Sequence, residues 1–202
     1  MLKLLHHPRS TYARRVRLAL LEKNIPFEAV EIDKAARQHK SPEYLALNPY
    51  GRVPTIDDDG FILYASNAIL MYLEATRPTP SLVPADAQGR ALVDMHLRLC
   101  DLQLGRYAGT IIFPKRFLPE ARWDKPAMAA AKAEIEKHLA ILEPQLAGRD
   151  WLVGDRFTLA DLSYIPFVDF LGLMEIDPPP AVAAWVRRLL ARPHVAETRP
   201  DL

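Results

Sequence analysis

Val53-Pro54-Thr55-Ile56 and Phe61-Ile62-Leu63-Tyr64 stand on either side of Asp57-Asp58-Asp59-Gly60. Asp-Gly between two apolar runs is a strong short-range hairpin signal, because both residues accept the positive φ that a tight turn demands. The stretch predicts two antiparallel strands, and the elements around it decide what sheet they join. Pro54 has no N–H to give a ladder, so taken alone it belongs at a strand start or edge.

Toward the N-terminus, Ser41-Pro42-Glu43 sets a capping Ser before a Pro at the first helical position. A polar stretch from Asp33 to Lys40 precedes it. Before that, Phe27-Glu28-Ala29-Val30-Glu31-Ile32 alternates with period two, as a half-buried strand does. Ala13, Val16 and Leu20 give residues 14–23 a helical face, stopped by Asn24 and Pro26, and Lys3 to His6 is a short apolar strand ended by Pro8. Toward the C-terminus, Ser66 opens a helix with Ile69, Tyr72 and Leu73 on one face. The order is βαβ followed by αββα.

Pro78, Pro80 and Pro84 interrupt a stretch without hydrophobic periodicity, which places a boundary there. The expected organisation is an α/β domain over 1–77, a linker over 78–87 and an all-helical domain over 88–202. Its stripes are Leu92, Met95, Leu99 and Leu102, then Met128 through Leu146, then Val182, Trp185, Val186 and Leu189. Phe113-Pro114 is read as an interruption between the first two. Thr158-Leu159-Ala160-Asp161 reads as a capping box with Phe157 and Leu162 at the staple positions, so Asp161 is assigned a structural part.

Composition removes several classes of function. Of 202 residues half are hydrophobic and a quarter charged, which is ordinary for a globular chain. Lys plus Arg is 26 against 25 Asp plus Glu, so no surplus of positive charge calls for nucleic acid. A single cysteine, Cys100, permits neither an internal disulfide nor a Cys-ligated zinc site, and is read as a small buried hydrophobe in a reducing compartment. The N-terminal apolar run is too short for a signal peptide, and no stretch approaches a membrane span. Phosphate-loop, dinucleotide and metalloprotease motifs are missing, and the six histidines show no ligand spacing. The expectation is a cytoplasmic protein without metal, nucleic acid or membrane.

The informative turn is Pro8-Arg9-Ser10-Thr11-Tyr12-Ala13-Arg14-Arg15-Val16, where the first strand enters the first helix. Ser10 there is either a plain N-cap or the partner of an anion. A helix N-terminus offers unpaired N–H groups and partial positive charge, and a thiolate held there by a Ser hydroxyl has a lowered pKa. The residues alone leave both readings open.

The βαβ–αββα order resembles the thioredoxin-like fold, with Val53-Pro54 where that fold carries a cis proline and Ser10-Thr11-Tyr12-Ala13 where its redox members carry C-x-x-C. Joined to a helical second domain, the chain resembles a cytosolic glutathione S-transferase of the serine-type, phi/theta-like branches. The resemblance runs nearly end to end. It is carried by Ser10-x-x-x-Arg14-Arg15-Val16, Gln38-His39-Lys40, Leu47-Asn48-Pro49-Tyr50-Gly51-Arg52-Val53-Pro54, Ser66-x-Ala68-Ile69-x-x-Tyr72-Leu73 and Phe157-Thr158-Leu159-Ala160-Asp161.

That resemblance implies a role for each matching residue. Ser10 would hydrogen-bond the thiolate of glutathione, the co-substrate. His39 and Lys40 would hold its glycine carboxylate, the Val53 backbone its cysteinyl part beside a cis Pro54, and Ser66 its γ-glutamyl carboxylate. Arg52 stands in place of a usual Gln near the γ-glutamyl group. Tyr50 matches an aromatic that enters a partner subunit, implying a homodimer. Tyr12, Tyr107, Ile111 and Phe113 would meet a small hydrophobic electrophile between the domains. Read without the resemblance, His39 and Lys40 are a solvated loop and Tyr50 an ordinary turn aromatic.

Two departures stand out. Ala65 replaces the usual acidic residue before Ser66, which predicts weaker glutathione binding unless a partner subunit compensates, and Ser10-Thr11-Tyr12 departs from the Ser-Ser-Cys of the zeta branch. The activity implied is thiolate conjugation for detoxification. The alternatives are a non-enzymatic interaction or stress module of the same fold, and a glutathione-dependent isomerase or dehalogenase.

Overall fold

The computed structural model describes residues 1–200, which divide into two compact units: Met1–Leu82 together with residues 193–200, and Val83–Arg192. In the first unit, β1 (Lys3–His6), α1 (Thr11–Glu22) and β2 (Glu28–Glu31) form a βαβ crossover. A 3₁₀ turn (Gln38–Lys40) and α2 (Pro42–Leu47) lead to β3 (Thr55–Asp58), β4 (Phe61–Tyr64) and α3 (Ser66–Thr76). The sheet order is β2-β1-β3-β4, with β1 parallel to β2 and antiparallel to β3. This is the expected thioredoxin-like arrangement.

The hairpin forms as its residues require. Thr55 pairs with Tyr64 and Asp58 with Phe61, leaving a two-residue turn in which Asp59 (φ 51°) and Gly60 (φ 94°) both take positive φ. Asp57 Oδ1 accepts the Gly60 N–H at 2.8 Å. Leu4, Val16, Leu20, Ile56, Ile69, Leu70 and Leu73 are buried beneath the sheet and its helices. Each contributes roughly 1.5–3 kcal/mol by leaving water. Leu70 takes the core position expected for Tyr72, whose hydroxyl donates instead to Asp58 Oδ2 at 2.7 Å.

The division between the two units, after Leu82, falls inside the proline-interrupted linker expected over 78–87. Lys23 Nζ, fully buried, donates to Glu74 Oε2 at 2.7 Å and to the Pro80 carbonyl at 2.6 Å. Glu74 also accepts from Ser81 Oγ and from the Leu82 N–H. A buried ion pair thus ties 80–82 to the first unit. The far end of the chain joins the same unit: α10 (Pro193–Thr198) is held by Arg14, which donates from Nε to Thr198 Oγ1 and from NH2 to the Val195 carbonyl. The helical domain expected over 88–202 therefore gives up its last segment.

The second unit is helical throughout: α4 (Ala87–Leu99), a π-helical segment (Cys100–Gly105), α5 (Arg106–Phe117), α6 (Lys125–Leu146), α7 (Leu159–Val168), α8 (Leu171–Met174) and α9 (Pro180–Leu190). Phe113-Pro114 does not break α5. Pro114 falls in the last turn, where it forfeits one helical hydrogen bond, and its carbonyl accepts both the Leu118 N–H and Trp123 Nε1. The buried side of α4 is Val93, His96 and Leu97. Leu92 and Leu102, expected on the core stripe, are 45% and 57% exposed.

Every residue of α7 is buried. Its capping box is present, with Phe157 and Leu162 both buried at the staple positions. Asp161 accepts from the Thr158 N–H and hydroxyl, the Leu152 N–H and Trp185 Nε1, all within 2.9–3.1 Å. That confirms a structural carboxylate at the centre of the unit. Cys100 is buried as expected, its Sγ against the Ser163 carbonyl.

Candidate functional site

Ser10 caps α1: it sits in extended conformation (φ −83°, ψ 118°), and its Oγ accepts the Ala13 N–H at 3.2 Å. The capping reading is therefore correct, and it does not compete with the chemical one. A hydroxyl has one proton and two lone pairs, and the cap uses a single lone pair. The Ser10 hydroxyl retains a proton that the cap does not use, beside a helix end whose first turn carries no acidic residue.

The loop before β3 is fixed by a buried polar network. Tyr44 Oη donates to the Arg52 carbonyl at 2.6 Å and lies 3.0 Å from Thr55 Oγ1. Asn48 Nδ2 donates to the same two oxygens, at 2.9 and 3.1 Å, while its Oδ1 accepts the Tyr50 N–H. The Val53–Pro54 peptide is cis, and so is Thr79–Pro80, which the sequence did not suggest. Val53 precedes the paired register of β3, which begins at Thr55.

Gly51 locks this loop to the 3₁₀ turn. It has φ +58°, and a Cβ there would lie 2.6 Å from the His39 carbonyl and from Lys40 Nζ. Lys40 Nζ donates to the Tyr50 carbonyl at 3.1 Å. The His39 imidazole is half-buried, and its Nδ1 has no hydrogen-bond partner. Desolvation first, then Lys34, Lys40 and Arg37, hold its pKa below the ordinary value. His39 and Lys40 thus belong to a structured, cationic corner. Arg52 and Tyr50 are exposed, Tyr50 at 67% with its ring 5.9 Å from that of Tyr64.

At the start of α3, Ala65 adopts φ 70° and ψ 110°, a costly conformation for a residue with a Cβ, and Ser66 is the first helical residue. Beneath them Arg15 is fully buried, donating from NH1 to Ser66 Oγ at 3.0 Å and to Asn67 Oδ1 at 2.8 Å. Arg15, Tyr44, Asn48 and Thr55 received no function from the sequence. The pair Arg14-Arg15 on an otherwise apolar helix face was the available signal for the first.

Tyr12 lies on α1 with the Arg15 guanidinium 5.4 Å from its ring centre. Tyr107 and Ile111, four apart, share a face of α5. Ile111 is buried and lines a cavity of about 330 Å³ together with Trp123, Met128 and Met174. Phe113 is exposed and packs on Phe117 at 5.3 Å, off that face. Among the described residues no group of three or more His, Cys, Asp or Glu side chains could hold a metal ion, and no helix is long and apolar enough to cross a membrane.

Residues 4–81 match the model of the glutathione S-transferase N-terminal domain, and residues 78–193 that of the C-terminal domain. The chain belongs to the glutathione S-transferase family. It is 33% identical over 205 residues to a glutathione S-transferase of Silene vulgaris, covering 95% of this chain and 94% of that protein. Its fold matches glutathione transferase F2 of Populus trichocarpa with a TM-score of 0.88 at 28% identity, over 98% and 97% of the two chains. A glutathione transferase of Burkholderia graminis, whose structure holds two glutathione molecules per subunit, matches with a TM-score of 0.85 at 28% identity, over 98% and 86%.

Proposed function

We propose that this chain binds glutathione along its first unit, ionises the thiol, and transfers the thiolate to a small hydrophobic electrophile. The observation that carries the reading is the Ser10 hydroxyl, which accepts from the Ala13 N–H and keeps its own proton at the start of α1. A thiol of ordinary pKa near 8.5 is only about 3% ionised at pH 7. A donated hydrogen bond and the helix N-terminus favour the anion, and no covalent enzyme intermediate is needed. The remaining assignments follow the cationic and polar points of the unit. His39 and Lys40 take the glycine carboxylate, and the Val53 backbone pairs with the cysteinyl part. Ser66 takes the γ-glutamyl carboxylate, with Arg52 at its edge. Tyr12, Tyr107 and Ile111 receive the electrophile. Phe113, exposed and packed against Phe117, is assigned no share in that.

The homodimer is proposed on the exposed apolar residues of α4 and the following π segment and on exposed Tyr50. Leu92→Asp with Leu102→Asp should convert a sedimenting dimer to monomer, whereas an unchanged sedimentation coefficient would remove those residues from the interface.

Ser10→Ala tests the central claim. Loss of a preorganised donor costs about 10²–10³ in turnover, while loss of the cap costs only about 1 kcal/mol of stability. Conjugation of chlorodinitrobenzene should collapse in a folded protein, and the pH profile of residual activity should shift upward toward the free thiol. Full activity in the variant would defeat the assignment. Ala65 favours one rival reading, a binding module of the same fold without transferase activity. Failure to be retained on immobilised glutathione would select it, whereas retention with elution by free glutathione favours the transferase.

A further inference from the structure

The corner around His39 carries more positive charge than a single carboxylate can engage. Residues 33–40 close on themselves. The Gln38 N–H donates to the Asp33 carbonyl at 2.9 Å, the Arg37 N–H to the Lys34 carbonyl at 3.2 Å, and the Lys40 N–H to the Arg37 carbonyl at 2.7 Å. Gln38 Oε1 accepts the Asp33 N–H at 2.9 Å, so a side chain fixes the same loop. This folding sets Lys34 and Arg37 beside Lys40, and all three cations bear on the His39 imidazole. No carboxylate answers them. Lys34 and Arg37 are exposed and make no hydrogen bond or ion pair among the described residues, and Lys40 meets only the Tyr50 carbonyl. Asp33, the one acid of the loop, is engaged by the Ala36 N–H at 2.9 Å, and Glu43 on α2 by its own N–H and Ser41. Partial desolvation lowers the pKa of Lys34, and no neighbouring anion offsets it. Arg37 is a second sign. Its φ of 57° and ψ of 26° are taken freely by Gly and reluctantly by a residue with a Cβ, yet the position holds a long cation.

Resting on the reading of His39 and Lys40 as the subsite for the C-terminal carboxylate, we propose that Lys34 and Arg37 form a second anion subsite beside it. The thiol substrate they select is a γ-glutamylcysteinyl peptide whose third residue is acidic, γ-Glu-Cys-Glu being the plainest example. A terminal glycine brings one carboxylate, which occupies His39 and Lys40 and leaves the other two cations unused. A terminal Glu brings its main-chain carboxylate to the same pair and its side-chain carboxylate, a few bonds away, to Lys34 and Arg37. Both cations stand at the surface, so the added group reaches them without entering the core. A polyanion is the poorer match, because the chain as a whole carries a formal charge of only +1.

The test is calorimetric titration of the full chain with three peptides: glutathione, γ-Glu-Cys-Glu, and γ-Glu-Cys-Gln, which matches the second in size without its charge. Two exposed charge contacts of ordinary strength amount to about fivefold in affinity, so γ-Glu-Cys-Glu should bind about fivefold tighter than γ-Glu-Cys-Gln at low salt. The preference should fall below about twofold in about 0.5 M NaCl, where exposed charges are screened. Lys34→Gln with Arg37→Gly removes both charges, and Gly accepts the positive φ. That double variant should bind the Glu and Gln peptides alike and glutathione within about twofold of the parent chain. If it does not fold, Lys34→Gln alone serves and should reduce the preference to about twofold. With glutathione still binding, equal affinity for the Glu and Gln peptides, or rejection of both, overturns this proposal and leaves the glutathione reading intact. A preference that survives in the variants assigns it to other residues and overturns the proposal as well. If none of the three peptides binds at millimolar concentration, the glutathione reading itself falls, and this proposal with it.

Discussion

Acidification from neutral pH should destabilise the second unit, and His138 is the main reason. Its side chain is 3% exposed, with Nε2 3.1 Å from Tyr164 Oη and the two rings stacked 5.8 Å apart. Burial, and secondarily His96, lower its pKa from 6.5 to about 4. His96 is 2% exposed, its Nδ1 has no partner, and desolvation and then Arg149 lower its pKa as well. The sign follows from which state takes the proton first. As pH falls through 6.5 the unfolded chain protonates at position 138, while the native chain does not until about 4. Stability is therefore lost across that window, at up to about 1.4 kcal/mol per pH unit and about 3 kcal/mol in all from this group. Below pH 4 this contribution is flat. Trp123, Trp151 and Trp185 all lie in the second unit, and Trp185 packs edge-on against Tyr164 at 5.4 Å, so intrinsic fluorescence reports this region. Urea unfolding at fixed protein concentration, from pH 7 down to 4, should show the midpoint falling steadily. In His138→Gln, where the amide can still meet Tyr164, the starting stability should be lower and the slope shallower by about one proton. Parallel slopes in the two proteins would refute the argument.

Lys23→Met should cost about 3–5 kcal/mol, because it leaves the Glu74 carboxylate buried without its cation; Glu74→Gln should cost less than Glu74→Ala, since the amide oxygen can still accept from Ser81 and Leu82, and chemical denaturation ranks the three. The affinity for S-methylglutathione, which has no thiol to titrate, should rise as pH falls from 7.5 to 5.5. A carboxylate docked at His39 raises an imidazole pKa that starts below its usual value, so binding takes up a proton, and His39→Gln should erase that dependence in calorimetry. Asp161→Ala should destabilise the second unit severely by stranding four buried donors, with Asp161→Asn intermediate, as measured by the same fluorescence transition.

The elements that sequence reading found are those whose signals are local. The hairpin rests on Asp59-Gly60, which alone fixes two positive φ values, and the α7 start rests on a cap, a reach-back carboxylate and a staple within six residues. The misreadings of what each face and segment packs against are non-local. Nothing near Lys23 in sequence announces Glu74 and Pro80, the buried contacts that tie the start of the expected linker to the first unit. Arg14 looks like a surface residue until Val195 and Thr198 are seen to receive it. The Leu92–Leu102 stripe has perfect helical spacing, yet periodicity names a face without saying whether this chain covers it. At the candidate site, Ser10, His39, Lys40 and Ser66 were readable by type and order. Tyr44, Asn48 and Thr55 were not, because their work is to hold the backbone of Arg52, and backbone oxygens leave no mark in a sequence.

The two serines of the proposed site use one device with different strengths, and the difference matches the anions assigned to them. Each hydroxyl accepts a hydrogen bond from below, Ser10 from the neutral Ala13 amide and Ser66 from the Arg15 guanidinium, and each is thereby left to donate outward. A carboxylate is ionised at any working pH, so a full buried charge behind Ser66 only tightens its hold. A thiolate is different, because its nucleophilicity declines as its pKa is depressed, and attack is fastest when the pKa lies near ambient pH. A full charge against the sulfur would populate the anion and blunt it. Neutral amides at the end of a helix supply a fractional charge, enough to ionise the thiol and small enough to keep it reactive. The chain has two adjacent arginines on the first turns of α1, and the hydrogen bonds described turn one toward Val195 and Thr198 and the other toward Ser66 and Asn67.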